Sequence, residues 1–502
     1  MTKPVLVVGA GPVGLTMAAE LARYRVPVRI IDEAAAPTDK SKALAVWART
    51  LELLDRAGAA DPFAAAGVKV PEASIRTGDE VIARIAFDAV PSRFPYALMI
   101  PQSETERLLA AHLRSLGVTV ERSVALTDFS ESGDGVTCAI DRAGGGRDTI
   151  EAAWLAGCDG AHSTVRRKLG MAFEGDTLAT NFILADVHVS GLAIPETELA
   201  IFWHEDGVLA FFPIAPGRFR VIADVGSAPR HDPAFAEVQS IVARRGPTGA
   251  TLSDPIWLAG FAVNERKVAD YRAGRVFLAG DAAHVHSPAG GQGMNTGMQD
   301  AFNLSWKLAL VARGLADPQL LDSYSVERSA VAKEILADSG RMTRIGLVRS
   351  RLVQDVRNFL AHRILGFADA QHAVADRLSE VTIGYPHSPL NAGSARGLQG
   401  PALGERIVDV TPFGAGDRPL FALLANESAE AQSVIRDYAS LVEPDPRTPA
   451  SDSGVWLVRP DGYVAAAAHA SDLQPVRECL TRIAADKRGA GSSPGLAPID
   501  KT

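Results

Sequence analysis

Cysteine is scarce in this 502-residue chain, and its three thiols lie far apart in the sequence, at Cys138, Cys158 and Cys479. No Cys-x-x-Cys pair occurs, so the chain has neither the ligand spacing of a zinc site nor a disulfide framework. We therefore expect no bound metal and no structural disulfide. This cysteine usage is consistent with the reducing cytoplasm.

Long hydrophobic runs are also absent. The apolar segment near the N-terminus is broken by Gly9, Gly11, Pro12 and Gly14, which favours a strand followed by a turn over a signal peptide. No other apolar stretch approaches the roughly 20 residues that cross a bilayer. The sequence therefore predicts a cytoplasmic protein without a membrane partner.

Positive charge is in deficit, with 51 Lys and Arg against 59 Asp and Glu and a formal net charge of -8. No basic run and no ladder of aromatic residues occurs, so binding to nucleic acid has no electrostatic basis. Hydrophobic residues make up 47% of the chain and charged residues 22%. That composition supplies a large core and more than one domain, as expected of an enzyme that acts on small molecules.

What the chain does contain is a dinucleotide-binding motif at its N-terminus. An apolar strand over residues 5–8 leads into three spaced glycines and then into a helical pattern. The glycines permit a tight turn, and the helix N-terminus offers unpaired N–H groups to a pyrophosphate. A second apolar strand ends at an acidic residue, at the spacing expected for a carboxylate that binds ribose hydroxyls. The candidate contacts are Gly9, Gly11, Pro12, Gly14 and Asp32.

A second acidic turn lies far downstream. The apolar segment over residues 275–279 ends in a Gly-Asp pair, and a glycine-rich loop then opens a long helix. In a flavin site such an aspartate accepts hydrogen bonds from ribitol or ribose hydroxyls, while the loop amides face the pyrimidine edge of the flavin. The two motifs in this order predict a tightly held flavin, and an ordinary Gly-Asp turn before a helix is the structural alternative. The candidate contacts are Gly280, Asp281, Pro288, Gly291, Gly293, Met294 and Asn295.

A third motif lies between the other two, where a strand ends in Asp159 and Gly160 and a short helix begins with Ser163 and Arg166. Here the sequence resembles the class A flavoprotein monooxygenases, the aromatic hydroxylases that include para-hydroxybenzoate hydroxylase and phenol hydroxylase. In that family the Asp-Gly segment serves both FAD and NAD(P)H, which implies roles for Asp159, Gly160 and Arg166. A helix cap at Ser163 with an exposed arginine is the simpler interpretation.

The resemblance covers about residues 1–390 and implies further contacts. Gln102 occupies a position where family members commonly touch the flavin. The segment that usually reads Ser-Arg-Ala has Lys42 at its basic position, and lysine lacks the planar fork of arginine. Arg49 follows in a helical pattern, where it is either a ligand contact or an exposed arginine.

The resemblance also implies an activity. In the family, NAD(P)H reduces FAD, oxygen adds at flavin C4a, and the hydroperoxide hydroxylates an electron-rich phenolic or polycyclic aromatic ring. The chain has no second dinucleotide motif, so we expect NAD(P)H to bind transiently. A halogenase is disfavoured because no Trp-x-Trp occurs. A non-redox flavin-fold protein that binds an aromatic ligand is the alternative function.

The predicted fold class is α/β, with a Rossmann-like FAD-binding domain of the glutathione reductase type. We expect this domain to be discontinuous, over residues 1–70, 100–175 and 266–385. Short alternating strands predict an antiparallel substrate sheet over 71–99 and 176–265. After a Pro- and Gly-rich stretch at 387–404, the order of elements over 395–490 resembles a thioredoxin-like domain. Residues 491–502 read as a flexible tail.

Residues that carry catalysis are harder to identify. His204 is the first candidate for deprotonating a phenol, and an exposed histidine at a strand end is the competing interpretation. Arg220 and Trp203 are candidates for the pocket lining, where one favours a phenolate and the other stacks on a ring. His284 and His286 flank the flavin loop and serve either to brace it or to transfer protons. The sequence leaves a monomer or a homodimer open.

Overall fold

The computed structural model describes residues 3–39, 41, 43–228, 230–348, 350–407 and 411–485. The predicted contact Lys42 and the predicted tail over 491–502 lie outside these residues. Within them the helices are α1 (Pro12–Arg23), α2 (Ala48–Arg56), α3 (Ala60–Ala66), α4 (Gln102–Ser115), α5 (Thr164–Lys168), α6 (Phe235–Arg245), α7 (Gly293–Ala312), α8 (Asp322–Gly346), α9 (Arg351–Ile364), α10 (Ala368–Leu378), α11 (Ala429–Asp437) and α12 (Gln474–Ile483).

The strands follow the same chain order, and several are only two or three residues long. They are β1 (Val5–Val8), β2 (Val28–Asp32), β3 (Ala45–Val46), β4 (Val68–Val70), β5 (Glu72–Thr77), β6 (Glu80–Ala86), β7 (Ala97–Met99), β8 (Glu121–Arg122), β9 (Val124–Ser132), β10 (Gly135–Arg142), β11 (Gly146–Ala152), β12 (Trp154–Gly157), β13 (Glu174–Ser190), β14 (Glu198–His204), β15 (Gly207–Ala215), β16 (Arg218–Gly226), β17 (Thr251–Lys267), β18 (Arg272–Ala273), β19 (Val276–Leu278), β20 (His284–Val285), β21 (Ala392–Gly393), β22 (Ala422–Leu424), β23 (Gly454–Val458) and β24 (Val464–His469).

A six-stranded sheet in the order β18-β19-β12-β1-β2-β8 forms the centre of the molecule. All pairs in it are parallel except β18 with β19. Every residue of β1 is buried, as expected of a parallel strand that is covered on both faces. Strands β1, β12 and β19 are neighbours, so their carboxyl ends meet at one edge of the sheet.

The second large sheet has eight strands in the order β20-β17-β13-β16-β15-β14-β5-β6. It is antiparallel except between β14 and β5. Its strands β5, β6 and β13 to β17 fall in the two segments, 71–99 and 176–265, where the sequence predicts an antiparallel sheet, with β13 starting two residues before the second segment and β17 ending two residues after it. One face packs on α6, where Val238 and Val242 meet Phe211 and Val221. Its edge strand β20 contains His284, so the flavin loop begins at this sheet.

The C-terminal residues form a four-stranded sheet in the order β21-β24-β23-β22, accompanied by α11 and α12. Its buried residues Phe421, Leu423 and Val476 belong to the same apolar cluster as the strand β1. The region predicted as a separate domain therefore shares one continuous core with the central sheet. Two three-stranded sheets, β11-β10-β9 and β3-β7-β4, complete a mixed α/β fold.

None of the described helices has both the length and the apolar character needed to span a membrane.

Candidate flavin-binding cleft

The three sequence motifs meet at the carboxyl edge of the central sheet. The Cys158 amide donates to the Val8 carbonyl over 2.8 Å, and the Ala279 amide donates to the Gly157 carbonyl over 3.0 Å. A Cβ atom placed on Gly9 would lie 2.4 Å from the Cys158 carbonyl oxygen. Turns that are more than a hundred residues apart in the chain thus form one surface.

The first turn fits a diphosphate. Gly9 has a φ of 98°, and a Cβ on Gly14 would lie 1.9 Å from the Gly9 carbonyl oxygen, so both positions require glycine. No atom lies within 4 Å of a Cβ placed on Gly11. Helix α1 begins at this open space, with Pro12 at its first position and no side chain capping it. Its first amides are therefore available to an anion.

Asp32 fixes this turn from the neighbouring strand. One of its carboxylate oxygens accepts from the Ala10 amide over 2.6 Å, and the other accepts from the Ala34 amide over 2.8 Å. Nη1 of Arg122 lies 3.4 Å from Oδ1 of Asp32. The carboxylate predicted to bind ribose is thus already part of the scaffold that shapes the glycine turn.

The Asp-Gly motif places an acceptor in the same cleft. One oxygen of Asp159 accepts from the Thr164 and Val165 amides over 2.7 and 3.1 Å, while Oδ1 is buried with no hydrogen-bond partner. A buried oxygen without a partner is costly, so this atom fits the hydroxyl or amide of a ligand. Gly160 has a φ of 74° and open space beyond its Cα.

Ser163 caps α5, since its hydroxyl accepts from the Arg166 amide over 2.9 Å. The prediction of an exposed arginine at position 166 is wrong, because Arg166 is buried. Its guanidinium donates to the Ala282 carbonyl over 2.9 Å and lies over the Phe173 ring. Arg166 therefore ties the Asp-Gly motif to the turn after Gly280.

The Gly280 turn depends on a residue that the sequence analysis missed. The Gly280 amide donates to Asp300 Oδ2 over 3.0 Å, and that carboxylate also binds His284 Nε2 at 2.8 Å and Arg328 Nε at 2.6 Å. Burial alone would raise the pKa of Asp300, but Arg328 and His284 hold it below its usual value. Asp281, which follows Gly280 in the chain, is exposed. An acidic residue inside the apolar pattern of α7 was the available signal for Asp300.

The glycine-rich loop is clamped to β3. Asn295 accepts from the Trp47 amide and donates to the Ala45 carbonyl, both over 2.9 Å. The Trp47 indole donates to the Gly290 carbonyl over 2.9 Å. No side chain caps α7, so no capping side chain occupies the amides of its first turn.

Pro288 is exposed on this loop, and Gly291 has a φ of 64°. A Cβ on Gly291 would approach Ala45 to 3.2 Å. The loop therefore passes close to β3 while its proline stays exposed.

Gln102 acts on the segment before β3. Its side-chain Oε1 accepts from the Ala43 amide over 3.1 Å, and its backbone N–H donates to the Ser41 hydroxyl over 2.6 Å. Its Nε2 donates to Glu106 over 2.9 Å. In this structure Gln102 braces the chain on either side of position 42.

The two loop histidines differ in role. His284 braces the loop through the Asp300 carboxylate and stacks on Tyr271 with ring centroids 5.8 Å apart. His286 Nδ1 lies 2.9 Å from the Ser287 carbonyl oxygen, so this nitrogen carries the proton, and the buried Nε2 has no partner. Burial lowers the pKa of His286 to about 4, which keeps the ring neutral.

The predicted catalytic residues lie on the second sheet. His204 ends β14, accepts at Nδ1 from the Asp206 amide over 3.1 Å, and is separated from β20 by four strands. Arg220 is buried and forms a bidentate pair with Asp186 at 2.7 and 2.8 Å, so its charge is already compensated. Trp203 lies beneath Arg357 of α9, whose guanidinium carbon is 4.2 Å from the ring centroid.

The sheet presents an apolar wall on the face opposite α6, the face that also carries Trp203 and Arg220, whereas His204 shares the α6 face with Phe202. Phe182 and Phe261 stack at 5.6 Å, and Phe212 and Ile222 are half-buried. Phe212 packs against the cluster that contains Trp47, which in turn holds the glycine-rich loop. The wall thus adjoins the loop predicted to bind the flavin ring.

Arg49 was expected either to reach a ligand or to be exposed, and the exposed interpretation is wrong. Its side chain is buried, with Nη2 donating to the Asp461 carbonyl over 2.6 Å and Nε donating to the Tyr463 hydroxyl over 3.2 Å. Both partners lie in the turn between β23 and β24 of the C-terminal sheet, more than 400 residues away in the chain.

Comparison with known proteins gives consistent matches over most of the chain. The sequence pattern of the family described as FAD binding domain matches residues 2–339. The 6-methylpretetramide 4-monooxygenase of Streptomyces rimosus is 34% identical, over 99% of this chain and 97% of that protein. The pentachlorophenol 4-monooxygenase of Sphingobium chlorophenolicum is 34% identical, over 91% and 86%. The solved structure of OxyS anhydrotetracycline hydroxylase from Streptomyces rimosus superposes with a TM-score of 0.79 and 30% identity, over 97% and 99%.

Proposed function

The chain belongs to the FAD binding domain family and is a flavin-dependent aromatic monooxygenase, and from this premise we propose that it hydroxylates a polycyclic phenol. FAD is its cofactor, and NAD(P)H and O2 are its co-substrates. The named activities of its relatives favour this enzyme over a non-redox flavin-fold protein. The observation that carries the proposal is that the turns at Gly9, Asp159 and Gly280 meet at one edge of the central sheet, next to an apolar wall on the second sheet.

The residues at the three turns fit FAD. The α1 amides beside Gly11 would bind the diphosphate, Asp32 the adenosine ribose, and Asp281 the ribitol chain. The unpartnered Oδ1 of Asp159 would accept from the bound cofactor or from NAD(P)H. The α7 amides would face the flavin ring, where a helix N-terminus stabilises negative charge by roughly 0.3–2 kcal/mol. Bound FAD supplies oxygen activation.

The protein's own contribution is to orient the substrate and to exclude water. The stacked pair Phe182 and Phe261, with Phe212 and Ile222, offers a surface broader than one benzene ring. This breadth supports a polycyclic substrate over a simple phenol. Trp203 and Arg220 would shape the wall, since Arg220 acts together with Asp186.

For proton removal we retain His204 as the proposed group. Its Nδ1 accepts from the Asp206 amide, so the transfer would use Nε2. Replacement of His204 by alanine should slow hydroxylation while FAD stays bound.

We further propose that residues 395–490 form a thioredoxin-like domain that carries no thiol chemistry. Three strands of the C-terminal sheet, β22, β23 and β24, lie in this range together with α11 and α12 and support the assignment. The cysteine in this region, Cys479, is buried, and burial raises its pKa to about 12. A thiol held neutral in this way is a poor nucleophile.

The test is a stopped-flow screen of FAD-loaded protein with NADPH and a panel of one-ring to four-ring phenols. Polycyclic phenols should accelerate flavin reduction and yield a product one oxygen heavier, labelled when 18O2 is supplied. Acceleration by one-ring phenols alone would contradict the substrate class. Ligand binding without NADPH oxidation would instead support a non-redox protein.

A further inference from the structure

We propose that the turn between β23 and β24 of the C-terminal sheet positions the flavin loops, with Arg459, Asp461 and Tyr463 as positioning residues. The inference rests on the proposed function, because it concerns the same cofactor site. Its basis is a buried network of ion pairs and hydrogen bonds that starts in the C-terminal sheet and ends at both loops of the cleft.

Arg459 is the centre of this network. Its guanidinium binds Glu327 of α8 at 2.7 and 3.0 Å and binds Asp461 at 2.9 and 2.6 Å. Glu327 also accepts from Lys307 of α7 at 2.8 Å and from Asn303 at 2.7 Å. All of these side chains are buried. Burial by itself would raise the pKa of Glu327, and Arg459 and Lys307 reverse that effect and hold it well below its usual range.

The first route leads to the Gly280 turn. Tyr385 packs against Tyr463 with ring centroids 4.5 Å apart, and its hydroxyl accepts from Arg328 over 3.1 Å. Arg328 follows Glu327 directly in α8 and binds Asp300 at 2.6 Å, and Asp300 accepts from the Gly280 amide. The position of the turn that carries Asp281 therefore depends on a chain of buried contacts.

The second route leads to the glycine-rich loop. Arg49 donates to the Asp461 carbonyl and to the Tyr463 hydroxyl. It lies in the first turn of α2, whose N-cap is Trp47. Trp47 binds Asn295 and Gly290, at the start of α7 and in the loop before it.

A buried, fully paired network of this kind is rigid, and close packing transmits a displacement at one end to the other. Both routes begin in the five-residue turn between β23 and β24, and they end at the two loops that would hold the ribitol chain and the ring of the flavin. The C-terminal sheet therefore sets the geometry of the cleft although none of its residues lies there.

The test compares Arg459→Lys with Arg477→Lys in the full chain. Arg477 pairs with Asp437 at 2.7 Å on the surface of the same region, so it is a matched control. Lysine keeps the charge at position 459 but loses the fork that reaches Glu327 and Asp461 together. The readouts are FAD affinity by fluorescence quenching, the visible circular dichroism of bound flavin, and hydrogen peroxide released per NADPH at saturating FAD.

We expect Arg459→Lys to raise the Kd for FAD at least about tenfold, to alter the flavin dichroism and to increase peroxide release, and Arg477→Lys to match the wild type. A variant that lowers only Tm, with the three flavin readouts unchanged, would overturn the inference. Failure of the wild type to bind FAD would instead overturn the proposed function.

A second pair of variants decides the matter if Arg459→Lys does not fold. Tyr463→Phe removes only the hydroxyl that accepts from Arg49, and Tyr438→Phe removes a hydroxyl that binds Thr481 on the outer side of the same region. Tyr463→Phe should change the flavin dichroism and weaken FAD binding about threefold, and Tyr438→Phe should not. Equal behaviour of the two variants would contradict the inference.

Discussion

At the scale of single residues, two buried carboxyl groups near the start of α7 behave in opposite ways. Asp300 is paired with Arg328 and His284, which hold its pKa low. Glu380 is equally buried but receives only neutral donors, Thr296 Oγ1 at 3.0 Å and Gln299 Nε2 at 2.5 Å. Burial therefore dominates and raises the pKa of Glu380 from 4.5 to about 8.

This shift predicts how stability depends on pH. Between pH 4.5 and about 8 the folded protein holds a proton on Glu380 that the unfolded chain has lost. The contribution of this proton to the free energy of unfolding is therefore complete below pH 4.5, and it is lost as the pH rises through about 8. The slope is on the order of 1 kcal/mol per pH unit. Glu380→Gln should remove this slope, as measured by urea unfolding at pH 5, 6.5 and 8.

Glu430→Gln is the control, because Glu430 is an exposed residue at the start of α11. It should keep the pH dependence of the wild type. A Glu380→Gln protein that loses stability with pH as steeply as the wild type would show that Glu380 is ionised in the native state.

At the scale of elements, the turn between β1 and α1 separates a folding requirement from a binding requirement. A methyl group at Gly14 would meet the Gly9 carbonyl oxygen at 1.9 Å, whereas one at Gly11 meets nothing within 4 Å. Gly11 also has an ordinary φ of -74°. Substitution at Gly14 should therefore strain the fold, and substitution at Gly11 should fill only the space left for the diphosphate.

We expect Gly11→Ala to keep the wild-type Tm without FAD and to weaken FAD binding at least about tenfold, which equals about 1.4 kcal/mol. Gly14→Ala should lower the free energy of unfolding by about 3 kcal/mol through overpacking. Thermal melts without FAD and fluorescence titrations with FAD measure the two effects. Gly146→Ala, in open space on β11, is the control, and unchanged FAD affinity of Gly11→Ala would refute the diphosphate position.

Element types followed from the sequence, while element lengths did not. The sequence predicts short strands over 176–265, but β13 runs over 17 residues, Glu174–Ser190, because β17 pairs with it along its length. Helix α8 continues to Gly346. Its last turns are polar in sequence, and only packing against β17 and the glycine-rich loop supports them.

At the scale of the whole molecule, the C-terminal region is part of the main core. Trp306 of α7 packs edge-on against Phe421 with ring centroids 5.6 Å apart and donates to Asp461 over 3.1 Å. A chain that ends at residue 390 would expose this apolar surface and leave Glu327 without Arg459. Loss of one partner of a buried ion pair costs about 3–5 kcal/mol.

We therefore expect the 1–390 fragment to lack the near-UV circular dichroism of a packed native state. A chain that ends at residue 485, the last described residue, serves as the control and should retain it. Soluble yield and near-UV dichroism of the two proteins measure the effect. A 1–390 fragment that melts at the wild-type temperature and binds FAD would instead establish an independent C-terminal domain.

The sequence by itself determined the features that depend on neighbouring residues: the glycine turns, the acidic strand ends, the alternation of the substrate sheet and the family that these motifs indicate. The tertiary structure decided which charges are buried together. Arg459 and Glu327 are 132 residues apart, and Arg49 and Asp461 are 412 apart. Local patterns carry no information on such pairs, because a buried arginine and an exposed one look the same until the chain brings a carboxylate beside one of them.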